Sequence, residues 1–316
     1  MILCCGEALI DFVPLSGGDA YRPCLGGSIY NIAVGLGRLE TPVSFFSKLS
    51  KDFFGDMLVE YLDQNGVDTS YCPRTSAPTT LAFVSLPNEE KDDEPQYAFY
   101  ANQSADRSLR EDELPEKLSE NIKALHFGSI SLVMEPGAST LEKLMKRESG
   151  KRVISLDPNI RAGLISDKKA YLQRFEQWIK LVDIIKLSQA DMNWLYPDEK
   201  TEAIIARWFD MGISLCILTL GSTGAQGYMP NKEPVFASTP KIEVADTIGA
   251  GDSFLSATLA YLYKSDFLNS KEHLQNISSE ELSECLTYAN RAASINCSRE
   301  GANPPYKNEL GVFQIS

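Results

Sequence analysis

Hydrophobic positions recur with two different periods along this chain. Near the start, ILCCGEALIDFV (2–13) opens as a continuous apolar run and then alternates, as a buried strand does when one face turns to solvent. In GGSIYNIAVGLGRLE (26–40), Ile29, Ile32, Ala33, Leu36 and Leu39 return at helical spacing. That segment predicts a helix opened by Gly26-Gly27-Ser28, with Ser28 as its N-cap. VSFFSKLS (43–50) reads as a strand. FFGDMLVEYLDQNGV (53–67) reads as a helix closed by Asn65-Gly66. TTLAFVSL (79–86) and QYAFYAN (96–102) are β-rich runs, and the acidic, proline-bounded PNEEKDDEP (87–95) between them predicts a solvated hairpin loop.

From about residue 120 the two periods alternate. ALHFGSIS, RVISLDPN, IIKLS and LCILTLG predict strands, and 137–148, 168–181, 189–195 and 201–212 predict helices. QGYMP and PVFAS predict a short antiparallel pair, and helices over about 250–264 and 279–297 close the chain. Such a rhythm specifies a doubly wound, mostly parallel α/β sheet. The β-rich pieces at about 11–25 and 72–105 do not fit a parallel core. They are expected to form a small separate sheet at the carboxyl ends of the strands, where α/β folds bind ligands. Length allows two domains, or one domain with an insertion.

Composition narrows the function. Of 316 residues, 43% are hydrophobic and 23% charged, the balance of a soluble globular protein with a large core. A formal net charge of −13 argues against nucleic acid or an anionic membrane as partner. Any phosphate site must then be local, built from backbone N–H groups and a few Lys or Arg. The N-terminus lacks a basic region and Glu7 and Asp11 interrupt its apolar run, so no signal peptide is expected. No apolar stretch approaches a membrane span of roughly 18 residues. Seven cysteines without a CxxC, two of them adjacent, suit reduced thiols in a cytoplasmic protein. Two histidines leave little supply for a histidine triad or a His-rich metal site.

DTIGAGDSF (246–254) is the most chemically pointed segment. The amides of Gly249, Ala250 and Gly251, with the positive end of the following helix, suit an anion. Asp252 in that first turn is either an ordinary cap or a base that takes a proton from a hydroxyl attacking a phosphoryl group. On this segment alone the cap is the more economical reading. No GxxxxGK[ST] and no strand-placed GxGxxG occurs, which removes the P-loop and the main argument for a dinucleotide enzyme. Asp11 with Gly26, Gly27, Ser28 and Asn31 offers the mixed acceptors and donors that hold a neutral polyol, or a structural turn. DPNIR (157–161) ends a strand with an arginine able to reach phosphate, or with a surface arginine after a proline turn. KLSQAD (186–191) provides Lys186, Ser188 and Asp191, equally a strand end and a helix cap. TLGSTGAQG (219–227) and NCSREGANPP (296–305) are, alone, glycine and proline punctuation.

In order along the chain, GGSIYN, SKLSKDFFGD, DPNIR, KLSQAD, TLGSTGA, DTIGAGDSF and SREGANPP resemble the ribokinase-like (PfkB-type) family of carbohydrate kinases. GEALID, the spacing of Phe99-Tyr100 from Ala105-Asp106, and GANPP resemble the bacterial fructokinases within it. The resemblance implies a Rossmann-like three-layer αβα core with a β lid over the site, in a single 1–316 domain. It implies transfer of the ATP γ-phosphate to a primary hydroxyl of a small sugar, fructose before ribose, 2-keto-3-deoxygluconate or a nucleoside. A non-catalytic sugar- or nucleotide-binding regulator on the same fold stays open.

Carried over by motif, Asp252 would be the base, Gly249, Ala250 and Gly251 the anion hole, and Arg161 a phosphate or substrate contact. Asp11, Gly26, Gly27, Ser28, Asn31 and Phe99 would hold the sugar. Lys186, Ser188, Thr219, Gly221, Gly224 and Asn290, with Gly249 and Gly251, would line the nucleotide. Asp191 would order Mg²⁺ through water, and Asp246, Ile248, Asn296, Arg299 and Gly301 would surround a K⁺ ion. Two departures matter: the family's N-x-x-E is S-x-x-D here, and Ile248 stands where a threonine is common, leaving only its carbonyl for K⁺. The family's lids often pair, so a homodimer through the lid is expected.

Overall fold

The chain, a computed structural model describing residues 1–15, 20–85 and 96–311, is built on one large sheet. The acidic stretch 87–95 lies outside the described residues. Strands β1 (Ile2–Cys5) and β2 (Leu9–Pro14) come from the opening apolar run, followed by β3 (Tyr21–Gly26) and helix α1 (Ser28–Arg38). Next come β4 (Val43–Phe46), β5 (Leu49–Ser50), α2 (Phe53–Gln64), β6 (Val67–Asp68), β7 (Arg74–Thr75), β8 (Thr80–Ser85) and β9 (Gln96–Tyr100). The regular α/β half runs β10 (Ala124–Gly128), α3 (Gly137–Glu148), β11 (Val153–Asp157), α4 (Lys168–Ile179), β12 (Ile184–Ser188), α5 (Gln189–Leu195), α6 (Thr201–Asp210) and β13 (Leu215–Thr219). It ends with β14 (Gly224–Tyr228), β15 (Val235–Ser238), α7 (Ala250–Lys264), α8 (Lys271–Gln275), α9 (Ser279–Cys297) and α10 (Lys307–Leu310).

The nine-stranded sheet has the order β15-β14-β13-β12-β11-β10-β1-β4-β6. Seven strands are parallel, and β14 and β15 are added antiparallel at one edge. Central strands such as ILCC and VISLD are buried throughout because helices cover both faces, hence their unbroken apolar runs. Ile2 and Cys4 point into one core with residues of α1, α7 and α9, including Ile29, Leu36, Leu255 and Leu286. Leu3 and Cys5 point into the other, with residues of α3, α4 and α6, including Leu144, Phe175, Trp178 and Trp208. These are the three expected layers.

A four-stranded sheet, β3-β2-β8-β9, stands apart from the main one. Its limits correct the expected 11–25 and 72–105. It begins at Leu9, and Arg74–Thr75 pairs instead with Leu49–Ser50. For the same reason VSFFSKLS is two strands, one in the main sheet and one paired with β7. The ladder places Asp11 opposite Ala82 and Ala82 opposite Phe99, so these share one face. Phe99 packs there with Leu9, Ala82 and Ile130. Phe12 and Phe83 fall on the opposite face, with rings stacked at 4.7 Å.

Strand order reverses between β10 and β1, the switch point at which open α/β sheets bind ligands beyond the carboxyl ends of their strands. Glu7 follows β1, Asp157 ends β11 with Asn159 two residues beyond it, and Ser188 ends β12.

Candidate active site

Helix α7 starts directly after a left-handed residue, Gly249 (φ 75°). A Cβ there would sit 2.7 Å from the Ala302 Cβ, so both the dihedral and the space require glycine. The turn points Asp252 inward from the first turn of α7, where it is 7% exposed. Its Oδ1 accepts from the Ser28 hydroxyl at 2.7 Å and its Oδ2 from the Asn31 amide at 2.9 Å. Burial raises the Asp252 pKa above its ordinary value, against the bonds from Ser28 and Asn31 and the charges of Lys186 and Arg161.

Ser28 is free to meet Asp252 because it is not the N-cap. Gly27 (φ 106°) holds the cap position, with no side-chain capping bond. The capping acceptor is Glu7, whose Oε1 takes the Ser28 N–H at 2.9 Å and the Ile29 N–H at 3.5 Å. The expected Ser28 cap is thus replaced by a carboxylate from the turn between β1 and β2, an arrangement that also complements the helix dipole. Burial pushes the Glu7 pKa up to about 7. Its one trace in the sequence is a charged residue inside an otherwise apolar run.

Asp11 faces the site from β2, and burial pushes its pKa up to about 7, with Asp252 adding to the rise and Arg161 opposing it. Gly26 lies against it: a Cβ there would come within 2.4 Å of the Asp11 Oδ2. Beside Asn31 a cleft of about 400 Å³ opens toward Arg22, Arg38, Glu300 and Asn303. Arg22 spans from β3 to Glu300 at 3.0 Å.

Beneath Asp252 lies a buried ion pair, Lys186 Nζ to Asp157 Oδ2 at 2.7 Å. Burial works against the Lys186 ammonium, but the Asp157, Asp191 and Asp252 carboxylates raise its pKa. A Cβ on Gly251 would sit 3.1 Å from Lys186 Nζ, which puts this ammonium at the glycine turn. Asn159 joins the two halves of the site. Its Nδ2 donates to Ser28 Oγ at 2.9 Å, its N–H to Asp157 Oδ1 at 3.1 Å, and its Oδ1 accepts from Arg161 Nη1 at 2.7 Å.

Several other expected contacts are already engaged. The Ala250 N–H donates to the Thr247 carbonyl at 3.2 Å, within the turn. Ser188 and Asp191 form a capping box for α5, and the remaining Asp191 oxygen accepts the Ile160 N–H at 2.8 Å. Asn290 is buried, donating to the Ala237 carbonyl at 2.9 Å, and thus ties α9 to the end of β15. Thr219 donates to the Leu187 carbonyl at 3.4 Å. Gly221 and Gly224 have positive φ around the β13–β14 turn.

The five residues expected around K⁺ are brought together but hold one another. Asp246 accepts the Ile248 N–H at 2.9 Å and the Gly301 N–H at 2.8 Å. The fully buried Asn296 donates to the Ile248 carbonyl at 2.7 Å. Arg299 pairs with Glu309. Asp246 is therefore a cap that ties the turn to the 296–301 loop. Among the described residues no group of three or more His, Cys, Asp or Glu could hold a metal.

One further surface was not signalled by the sequence. The segment leading into the turn exposes Ile242 and Val244, which with Ala245 and Ser298 line an open cleft of about 450 Å³.

Comparison with known proteins places this geometry. Residues 1–309 match the pfkB family carbohydrate kinase profile. A fructokinase of Rhizobium leguminosarum bv. trifolii is 40% identical over 285 residues, 89% of this chain and 85% of that protein. The structure of Xylella fastidiosa fructokinase with bound ATP superposes with a TM-score of 0.88 at 27% identity, covering 98% of this chain and 96% of that one. Fructokinase of Vibrio cholerae O395, bound to fructose, ADP and a calcium ion, gives 0.81 at 25% identity over 95% and 94%. The chain belongs to the pfkB family of carbohydrate kinases.

Proposed function

We propose that this protein is an ATP-dependent fructokinase, forming fructose 6-phosphate and ADP. The observation that carries this reading is the buried Asp252 in the first turn of α7, flanked by the glycine turn and Lys186. The sugar 6-hydroxyl attacks the γ-phosphorus. The new O–P bond forms as the bond from γ-phosphorus to the bridging oxygen breaks, and the hydroxyl proton passes to Asp252. The amides of Gly249 and Gly251, with Arg161 and Lys186, stabilise the transferring charge. Asp11, Gly26, Gly27, Asn31 and Phe99 position the sugar under the four-stranded sheet, which acts as a lid on a single domain. Ile242 and Val244 offer an apolar bed for the adenine, near the Gly221–Gly224 turn.

Mg²⁺ fits as an ion carried by the nucleotide phosphates and waters, since both Asp191 oxygens already accept backbone N–H groups. When bound it would supply neutralisation of phosphate charge, with Asp191 ordering its waters. A K⁺ ion at this loop would share the Ile248 carbonyl with the Asn296 amide, which donates to it at 2.7 Å. No step is assigned to it.

Seven free cysteines suit the cytoplasm. Among the described residues no helix is long and apolar enough to cross a membrane. The face of the small sheet away from Asp11 carries Tyr21, Phe83 and Tyr100 in ring contact, with Phe12 packed between Phe83 and Phe54 of α2, and Tyr100 is 65% exposed. A second copy of the chain is the proposed occupant.

A panel of fructose, ribose, 2-keto-3-deoxygluconate and a nucleoside, each with ATP and Mg²⁺ and read by ADP release, tests the assignment. Turnover on fructose is expected to dominate. Turnover confined to another acceptor reassigns the substrate. Sugar-induced thermal stabilisation without any ADP release would instead favour the non-catalytic regulator.

A further inference from the structure

The hydrogen bonds between Arg161 and Asp252 have a polarity that chemistry alone dictates. A guanidinium only donates. The side-chain atom of Asn159 that lies 2.7 Å from Arg161 Nη1 must therefore be the amide oxygen. The amide nitrogen then faces Ser28 Oγ, 2.9 Å away, and it too can only donate. Ser28 Oγ accepts that bond, and its single proton is left for Asp252 Oδ1 at 2.7 Å. The reverse orientation would set an NH₂ against the guanidinium. Arg161, two residues beyond Asn159 and acting through its carboxamide, thus determines which way the proton on Ser28 points.

We propose that Asn159 is a positioning residue for phosphoryl transfer, passing the fixed donor polarity of Arg161 through Ser28 so that Asp252 stays an acceptor for the sugar proton. This rests on the reading of Asp252 as the base. Two independent features support it. Asn159 has φ 38°, a left-handed conformation that costs most residues energy and that asparagine tolerates better than most. Its backbone N–H is also held by Asp157 Oδ1 at 3.1 Å, so the relay is anchored on the buried Lys186–Asp157 pair. Every hydrogen-bonding group of the side chain is directed at the site.

Two variants separate a relay from a structural turn. Asn159→Gly accepts the positive φ without strain and deletes the carboxamide. Asn159→Asp keeps the shape but offers Ser28 an acceptor, which draws its proton away from Asp252. The charged groups facing Asp252 are Lys186 on β12, Arg161 and Asp157 around the end of β11, and Asp11 on β2, and both variants leave them in place. Losing the amide that holds the Ser28 proton on Asp252 frees the hydroxyl to turn away, and this is expected to lower kcat about tenfold in Asn159→Gly and to move the acid limb of kcat/KM up by about one pH unit. Asn159→Asp should be slower still, with KM for ATP within about twofold of the parent. A folding role would lower kcat evenly at every pH and leave the limb in place. Parental rates in both variants, or an unmoved acid limb, overturn the proposal. A fully active Asp252→Asn would instead remove the base itself, an outcome the Asn159 variants cannot mimic.

Discussion

The Ser28 hydroxyl donates to the Asp252 carboxylate across 2.7 Å, although 224 residues separate them in the chain. One end of the contact is the start of α1 and the other the start of α7, and these two helices pack on the same face of the main sheet. The contact converts two helix starts into one site and turns an acid near an anion-binding turn into a base.

Asp252→Asn is expected to lower kcat by about 10²–10⁴-fold, the usual cost of losing a general base. Binding of ATP and sugar, followed by calorimetry, should change little, because asparagine preserves the shape. Near-parental kcat in this variant would show that another group takes the proton.

The buried Lys186–Asp157 pair predicts an asymmetry. Lys186→Met strands the Asp157 carboxylate, which is fully buried, and should cost about 3–5 kcal/mol of stability. Asp157 can escape the cost by protonation, so the loss should be larger at pH 8 than at pH 5. Urea midpoints at the two pH values read this directly, and an equal loss at both would mean that Asp157 stays ionised throughout.

Glu7 predicts a pH-dependent stability with a definite sign. Its folded pKa of about 7 lies above its ordinary value of 4.5 because burial disfavours the charged form. The stability it contributes is fully present below the unfolded value and is lost as pH rises through the folded one. Glu7→Gln keeps an oxygen for the Ser28 N–H and removes the titration. The parent should therefore lose up to roughly 3 kcal/mol relative to Glu7→Gln between about pH 4.5 and 7. Thermal melts of both proteins across that range check it; parallel curves would rule out Glu7 as the titrating group.

The aromatic face of the small sheet predicts an assembly. Tyr100→Glu, at a position 65% exposed, should leave the monomer folded and shift sedimentation from dimer to monomer. A parent that sediments as a monomer at micromolar concentration would dismiss the pairing.

Much of the architecture was legible from periodicity. Helices at 137–148, 189–195, 250–264 and 279–297 begin and end where the apolar spacing and punctuation put them. Short pieces were not legible: α8 and α10 span too few residues to show a period. VSFFSKLS hid a break because both halves are buried and apolar, although they pair with different strands. At the site, the glycine turn and its carboxylate were visible as a local motif. The N-cap of α1 was assigned to Ser28 by the local rule, whereas Glu7, 21 residues upstream, provides it.

The amino-acid sequence by itself determined the longer strands and helices and the chemistry of the turn at 246–254, because these depend on neighbours within a few residues, and the alternation of strands with helices determined the mostly parallel sheet. Tertiary structure decided which acids are buried, which serine faces which carboxylate, and which way each proton points. It also decided that Asp246, Asn296 and Arg299 hold the loop instead of presenting open ligands. Those properties depend on desolvation and on donor–acceptor pairing between segments far apart in the chain, and neither is encoded in the local pattern of either segment.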